Sequence, residues 1–172
     1  MQLWDDVLYP SFRQFIRGEY YGTITRDQLD EECYALTVRA IDIFKFPKIS
    51  TDYTTFYAVR DQDNPNILVK AEEEDDGAIA HGQFLQDLTS KELNILLAWM
   101  KFYWAEMQIS NADNFEEQYT DSNIKQQSRG NAVDKNIKLM NQYRNYARDL
   151  ETRYGRVSVT RTPTIGDINT DD

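Results

Sequence analysis

The stretch TSKELNILLAWMKFYWAEMQI, residues 89–109, governs how the rest of the chain has to be arranged. Thr89 followed three positions later by Glu92 is a capping-box start, in which the hydroxyl accepts from the amide of the glutamate and the carboxylate accepts from the amide of the threonine. A helix is therefore predicted to begin there. From Lys91 to Ile109, thirteen of nineteen residues are apolar or aromatic, and Leu93, Ile95, Leu96, Leu97, Trp99, Met100, Phe102, Tyr103, Trp104 and Met107 fall on every side. A helix that is apolar all round has to be surrounded by protein. A membrane span is the rival reading, but Lys101 and Glu106 interrupt the run. The longest apolar block, Ile95 to Met100, is far short of the roughly 20 residues a bilayer requires.

A chain of 172 residues is one domain of ordinary size, able to bury a core. An aromatic content of 13%, with four prolines and seven glycines, disfavours a disordered chain. The net charge of -10 argues against non-specific binding to nucleic acid or to anionic membranes by the chain as a whole. The charge is uneven, however. Residues 1–128 hold 11 Lys and Arg against 23 Asp and Glu, residues 129–161 hold 8 against 3, and residues 162–172 hold 3 acidic groups and no basic one. An acidic body with a basic C-terminal helix suits self-association or docking on a charged partner. A single cysteine, Cys33, rules out an internal disulfide and fits a reducing interior. The opening MQLWDDVLYP is acidic where a signal peptide would be basic, so secretion by that route is not expected and the protein is expected to be cytosolic when made.

Outward from the central helix, Leu3, Trp4, Val7, Leu8, Phe12, Phe15 and Ile16 space as an amphipathic helix with a break or kink at Pro10. Thr25 and Gln28 repeat the capping-box signal, and Leu29, Cys33, Leu36, Ala40 and Ile43 form one apolar face ending before Pro47. The opposite face, Arg26, Asp30, Glu31 and Arg39, is polar and predicts a surface position for that helix. Residues 50–59 and 67–69 read as the two strands of a small hairpin turning over 61–66, and 78–88 as a third strand. Residues 110–123, rich in Asn, Asp and Ser, favour turns and short helical pieces. Val133, Ile137, Met140, Tyr143, Ala147, Leu150 and Tyr154 then give a helical stripe over 131–154, with Gly155 as its C-cap. Residues 156–172 follow as a polar tail that is expected to run extended along a partner.

No constellation for chemistry stands out. His81 is the only histidine, which removes every site needing two, and it is expected at a surface or strand position. Cys33 lies on an apolar stripe, where a small buried hydrophobe is the plain reading. The run Glu72, Glu73, Glu74, Asp75 and Asp76 has charge for Mg²⁺ or Ca²⁺, but consecutive side chains fan out and the spacing is not that of an EF-hand. Arg144 and Arg148 share a helix face and are a possible phosphate-contacting edge, while interleaved Asp149 and Glu151 weigh towards subunit contacts.

Residues 86–154 carry a further pattern in Leu88, Thr89, Glu92, Met100, Trp104, Ile109, Asn114, Tyr119, Asp121, Ser128, Ile137 and Leu139. This order, a Leu-Thr-x-x-Glu start, a Trp-containing helix, an Asn-rich bend, a Tyr-Thr-Asp segment and a long Leu/Tyr helix, resembles that of tailed-bacteriophage head-to-tail connector proteins, the neck or adaptor rings. The resemblance implies a mainly α fold, a helical bundle around a central apolar helix, with a β insertion at about 50–86 within a 1–155 domain and an extended tail over 156–172. It also implies a structural virion protein of the neck, assembled in the host cytoplasm. That protein would be a homo-oligomeric ring, twelve copies being expected, that joins the portal to neighbouring neck or tail rings while DNA passes through without sequence-specific binding. No enzyme activity, cofactor, metal or membrane contact is expected. The residues expected at partner contacts are Arg153, Arg156, Val157, Val159, Arg161 and Ile165, with Tyr57 and Val59 at the hairpin. The alternative is a nucleic-acid-binding regulator using the basic C-terminal helix.

Overall fold

The structure, a computed structural model, describes residues 1–16, 25–45, 47–61, 63–64, 67–118 and 126–156, with the backbone path alone for 111–118 and 126–133. The fold is mainly α. Five helices and a four-stranded antiparallel sheet are present among the described residues.

The chain enters through strand β1 (Gln2–Leu3), which pairs with a strand more than 70 positions later and which helical periodicity had concealed. Helix α1 (Trp4–Val7) and helix α2 (Tyr9–Ile16) follow, with the break at Leu8. Pro10 is the second residue of α2, in a first turn where its missing N–H is no loss. Helix α3 (Arg26–Ile43) starts on the expected capping box, with Gln28 N–H donating to Thr25 Oγ1 at 3.2 Å and Thr25 N–H to Gln28 Oε1 at 3.0 Å. Strands β2 (Tyr53–Arg60) and β3 (Leu68–Ala71) form the predicted hairpin, in the register Tyr57↔Ala71 to Arg60↔Leu68. Strand β4 (Ile79–Phe84) returns along the other side of β2, giving the order β1-β4-β2-β3.

Helix α4 (Ser90–Gln118) carries the residues expected at its centre: Ile95, Leu96, Trp99 and Met100 are buried, and α2, α3 and the last helix, α5 (Gln126–Arg156), all pack on it. Two expectations fail here. The backbone stays in one continuous helix through 110–118, where Asn, Asp and Ser predict turns and short helical pieces; a helix already continuous over five turns adds one bond per further residue, and that gain outweighs weak local preferences. Gly155 does not cap α5, which runs on through Arg156, and among the described residues the only glycine with positive φ is Gly77, at the acidic loop. Any tail therefore begins after Arg156, and residues 157–172 lie outside the described residues.

Side-chain pairs fix how the long helices run. Glu92 meets Tyr154 at one end, and Trp104 and Tyr143 both pack edge-on against Phe15 farther along, so α4 and α5 are antiparallel. Thr37 contacts Met100, while Phe44 packs on Tyr154 beside Glu92, so α3 is antiparallel to α4 and begins level with about Asn111. The α4 backbone goes on to Gln118, which at ~1.5 Å per residue carries the hairpin about 10 Å beyond the start of α3. No described helix is long and apolar enough to cross a membrane.

Candidate functional site

Three arrangements stand out, and the first grows from the capping box of α4. Glu92 is fully buried. Its Oε2 accepts from Thr89 N–H at 2.9 Å and Thr89 Oγ1–H at 2.8 Å, as the box requires. Its Oε1 accepts from Lys48 N–H at 3.1 Å, Ile49 N–H at 3.0 Å and the Tyr154 hydroxyl at 2.6 Å. One carboxylate thus joins the start of α4, the α3–β2 connection and the end of α5. Burial works against its charge, but these hydrogen bonds outweigh that effect and hold the carboxyl below its ordinary value. On Tyr154, burial and the neighbouring carboxylate both favour the neutral phenol, pushing its pKa up to about 12. Glu151 repeats the device one turn earlier in α5, accepting from Lys45 N–H at 2.6 Å.

The second is a chain of charges beneath the sheet. Asp30, on the face of α3 read as solvated, is fully buried, where the Arg13 guanidinium from α2 and the Arg60 guanidinium from β2 both engage it. Arg60 also donates to Asp27 Oδ1 at 2.9 Å, and Arg13 lies 4.0 Å from Asp5 of α1. Asp5 Oδ2 accepts from His81 Nδ1–H at 2.8 Å, since an ionised carboxylate can only accept. His81, expected at a surface or strand position, is in β4 but fully buried, stacked on Phe56 at 5.7 Å. A carboxylate between two guanidinium groups tolerates burial because its charge is met on both oxygens. Local sequence carries no sign of this, because the partners are 8 to 76 positions apart.

The third is a groove of about 670 Å³ between the first turn of α4 and the last turns of α5. Its walls are Ile95, Leu150 and Tyr154, and its rim carries Lys48, Lys91 and Arg153. Lys48 Nζ stands 4.6 Å over the Tyr154 ring, and Arg153 pairs with Asp149 at 2.8 Å on the open side of α5.

The residues expected to meet partners are not gathered in one place. Arg153 edges the groove and Arg156 ends α5, both exposed. Val157, Val159, Arg161 and Ile165 lie outside the described residues. Tyr57 and Val59 are half-buried in β2, an interior strand of the sheet. The exposed apolar side chains of that hairpin are instead Ile67 and Val69, beside and on the edge strand β3. A strand flanked on both sides has little left to offer, which the order of strands determines and the hairpin alone does not.

Cys33 is buried, as its place on the apolar stripe predicts, and burial raises its thiol pKa to about 12, far from a reactive thiolate. The acidic run forms a tight loop closed by Glu72 N–H donating to Asp75 Oδ2 at 2.8 Å. Among the described residues no three His, Cys, Asp or Glu side chains converge as a metal site would require. Arg144 and Arg148 are both exposed on α5, and Tyr143 is taken up by Phe15 at 5.5 Å.

Comparison with models of protein families, with curated proteins and with solved structures finds no match to this chain.

Proposed function

We propose that this chain is a non-enzymatic assembly protein, a head-to-tail connector of a tailed-phage neck that joins a portal to the tail. The observation that carries the reading is the reach of the α4–α5 hairpin, two antiparallel helices of 29 and 31 residues that extend about 10 Å past the helix beside them. A paired helical arm satisfies its own backbone hydrogen bonds, so it can project from a body and pack against a neighbouring copy. The order of segments over 86–154 adds to this, and so does the charge. A ring of bodies of net charge -10 would let a packaged duplex slide through without adhering, because like charge suppresses phosphate contacts.

In this reading, twelve copies form the ring. Residues from Arg153 onward, including Arg156, Val157, Val159, Arg161 and Ile165, lie along the portal or a neighbouring ring protein. At the sheet, the contact passes from Tyr57 and Val59 to the exposed Ile67 and Val69 of the same hairpin. The test is a native mass measurement of the full chain mixed with purified portal or tail rings. A complex of fixed stoichiometry that is lost on deleting 157–172 is expected; a complex indifferent to that deletion overturns the role of the tail. Retention on duplex DNA that falls steeply with salt would instead favour a nucleic-acid regulator working through Arg144 and Arg148.

A further inference from the structure

The groove beside α5 reverses the charge of the molecule around it. The chain as a whole has a net charge of -10, yet Lys48, Lys91 and Arg153 stand together over a trough floored by Ile95, Leu150 and Tyr154. Such a site selects an occupant carrying both carboxylates and an apolar side chain. The carboxylates meet the rim, and the apolar group covers surface that is otherwise wet.

The sequence supplies such an occupant close by. Arg153 and Tyr154 belong to the last turn of α5, and the chain continues directly from Arg156. Residues 165–172, IGDINTDD, hold Asp167, Asp171 and Asp172, no basic residue, and two isoleucines, Ile165 and Ile168. We propose that the groove is a binding site for residues 165–172 of the same chain, with the aspartates against the cationic rim and the isoleucines against the apolar floor.

Reach allows it. Asp167 lies 11 positions beyond Arg156, an extended span of up to about 36 Å, whereas returning from Arg156 to Arg153 along α5 covers only about 5 Å. Closing a short loop costs little, and a tethered segment acts at an effective concentration of order millimolar. That tether favours the chain's own segment over the same segment from another copy. In the neck reading this intrachain contact belongs to the free chain, and a portal or ring protein that takes up residues from Arg153 onward has to displace it.

The full-length protein carrying Asn94→Cys in the groove wall and Asp167→Cys in the segment tests this under mild oxidation, read by intact mass and non-reducing electrophoresis. The native Cys33 is buried and serves as its own control. An intrachain disulfide is expected to form about tenfold faster than in a control pairing Asp76→Cys with Asp167→Cys, because proximity raises the local thiol concentration. Adding Lys91→Glu and Arg153→Glu is expected to remove that advantage. A rate equal to the control, a rate indifferent to the charge reversal, or a product that is only interchain overturns the proposal.

Discussion

The Tyr154 hydroxyl donates a 2.6 Å hydrogen bond to Oε1 of Glu92, 62 positions earlier in the chain, inside the core. This contact is what clamps the C-terminal end of α5 to the first turn of α4. A hydrogen bond to a buried charge is worth about 1.5–3 kcal/mol, and here four other donors share the carboxylate. Tyr154→Phe is therefore expected to cost about 1.5 kcal/mol of unfolding free energy in a urea titration at neutral pH. A loss under about 0.5 kcal/mol would show that the clamp is not a source of stability. Glu92→Gln is expected to cost more, because an amide offers only one acceptor oxygen where the carboxylate has two.

Acid should act through the same carboxylate. Glu92 has its folded pKa depressed below the ordinary 4.5, so the unfolded chain takes up its proton first as pH falls. Its contribution is complete above about 4.5 and is lost as pH drops through the lower folded value. Stability measured from pH 6 down to pH 2 is expected to fall less steeply in Glu92→Gln than in the unaltered protein. Equal slopes would remove Glu92 from the acid response. At the other extreme, Tyr154 with a folded value of about 12 contributes stability that is full below its ordinary 10.0 and is lost above it, a loss absent from Tyr154→Phe.

Asp30 and Asp27 sit three positions apart on α3 and contact the same guanidinium, yet they should respond very differently to substitution. Asp30 is fully buried between Arg13 and Arg60, while the Asp27 side chain is 54% exposed. Removing one member of a buried ion group leaves uncompensated charge and costs about 3–5 kcal/mol, whereas an exposed pair contributes at most about 1 kcal/mol. Asp30→Asn should thus shift the thermal midpoint by many degrees and Asp27→Asn by few. Similar shifts for both would mean that Asp30 is not held as described.

Gly82 in β4 lies flat against the indole of Trp4, and a Cβ there would overlap three ring carbons, so there is no room even for a methyl group. Trp4 itself is fully buried and packed at 4.9 Å on Tyr53 and 5.4 Å on Phe84, which leaves the indole nowhere to move. Gly82→Ala is expected to destabilise by about 3 kcal/mol through overpacking, measured by the same urea titration. Gly155→Ala is the counterpart. With nothing near its Cβ and a helical backbone, alanine there should be neutral or stabilising by up to about 1 kcal/mol.

What the sequence by itself determined lies within a few residues of each signal. Thr25 with Gln28 and Thr89 with Glu92 placed two helix starts, and the stripe through Val133 to Tyr154 placed α5. The Thr-, Tyr-, Phe- and Val-rich run over 50–59, with the turn residues of 61–66 after it, placed the hairpin. These are local because a cap or an amphipathic face is made by neighbours three or four positions apart. Failures came where a local preference met a long element or a distant partner. The two-residue β1 looks helical until β4 arrives to pair with it, and residues 110–118 follow the helix they extend.

Only the tertiary structure decided which polar groups leave water. Glu92 reads as a cap and also proves to be the acceptor for two loop amides and a tyrosine. Asp30 reads as solvated but is the buried centre of two arginines, and the lone histidine turns inward to Asp5. The groove at α5 exists because Lys48, Lys91 and Arg153 come from three separate elements. A charge enters a core only when its partner is already there, and that partner is chosen by packing across the whole chain, on which nearby sequence has no bearing.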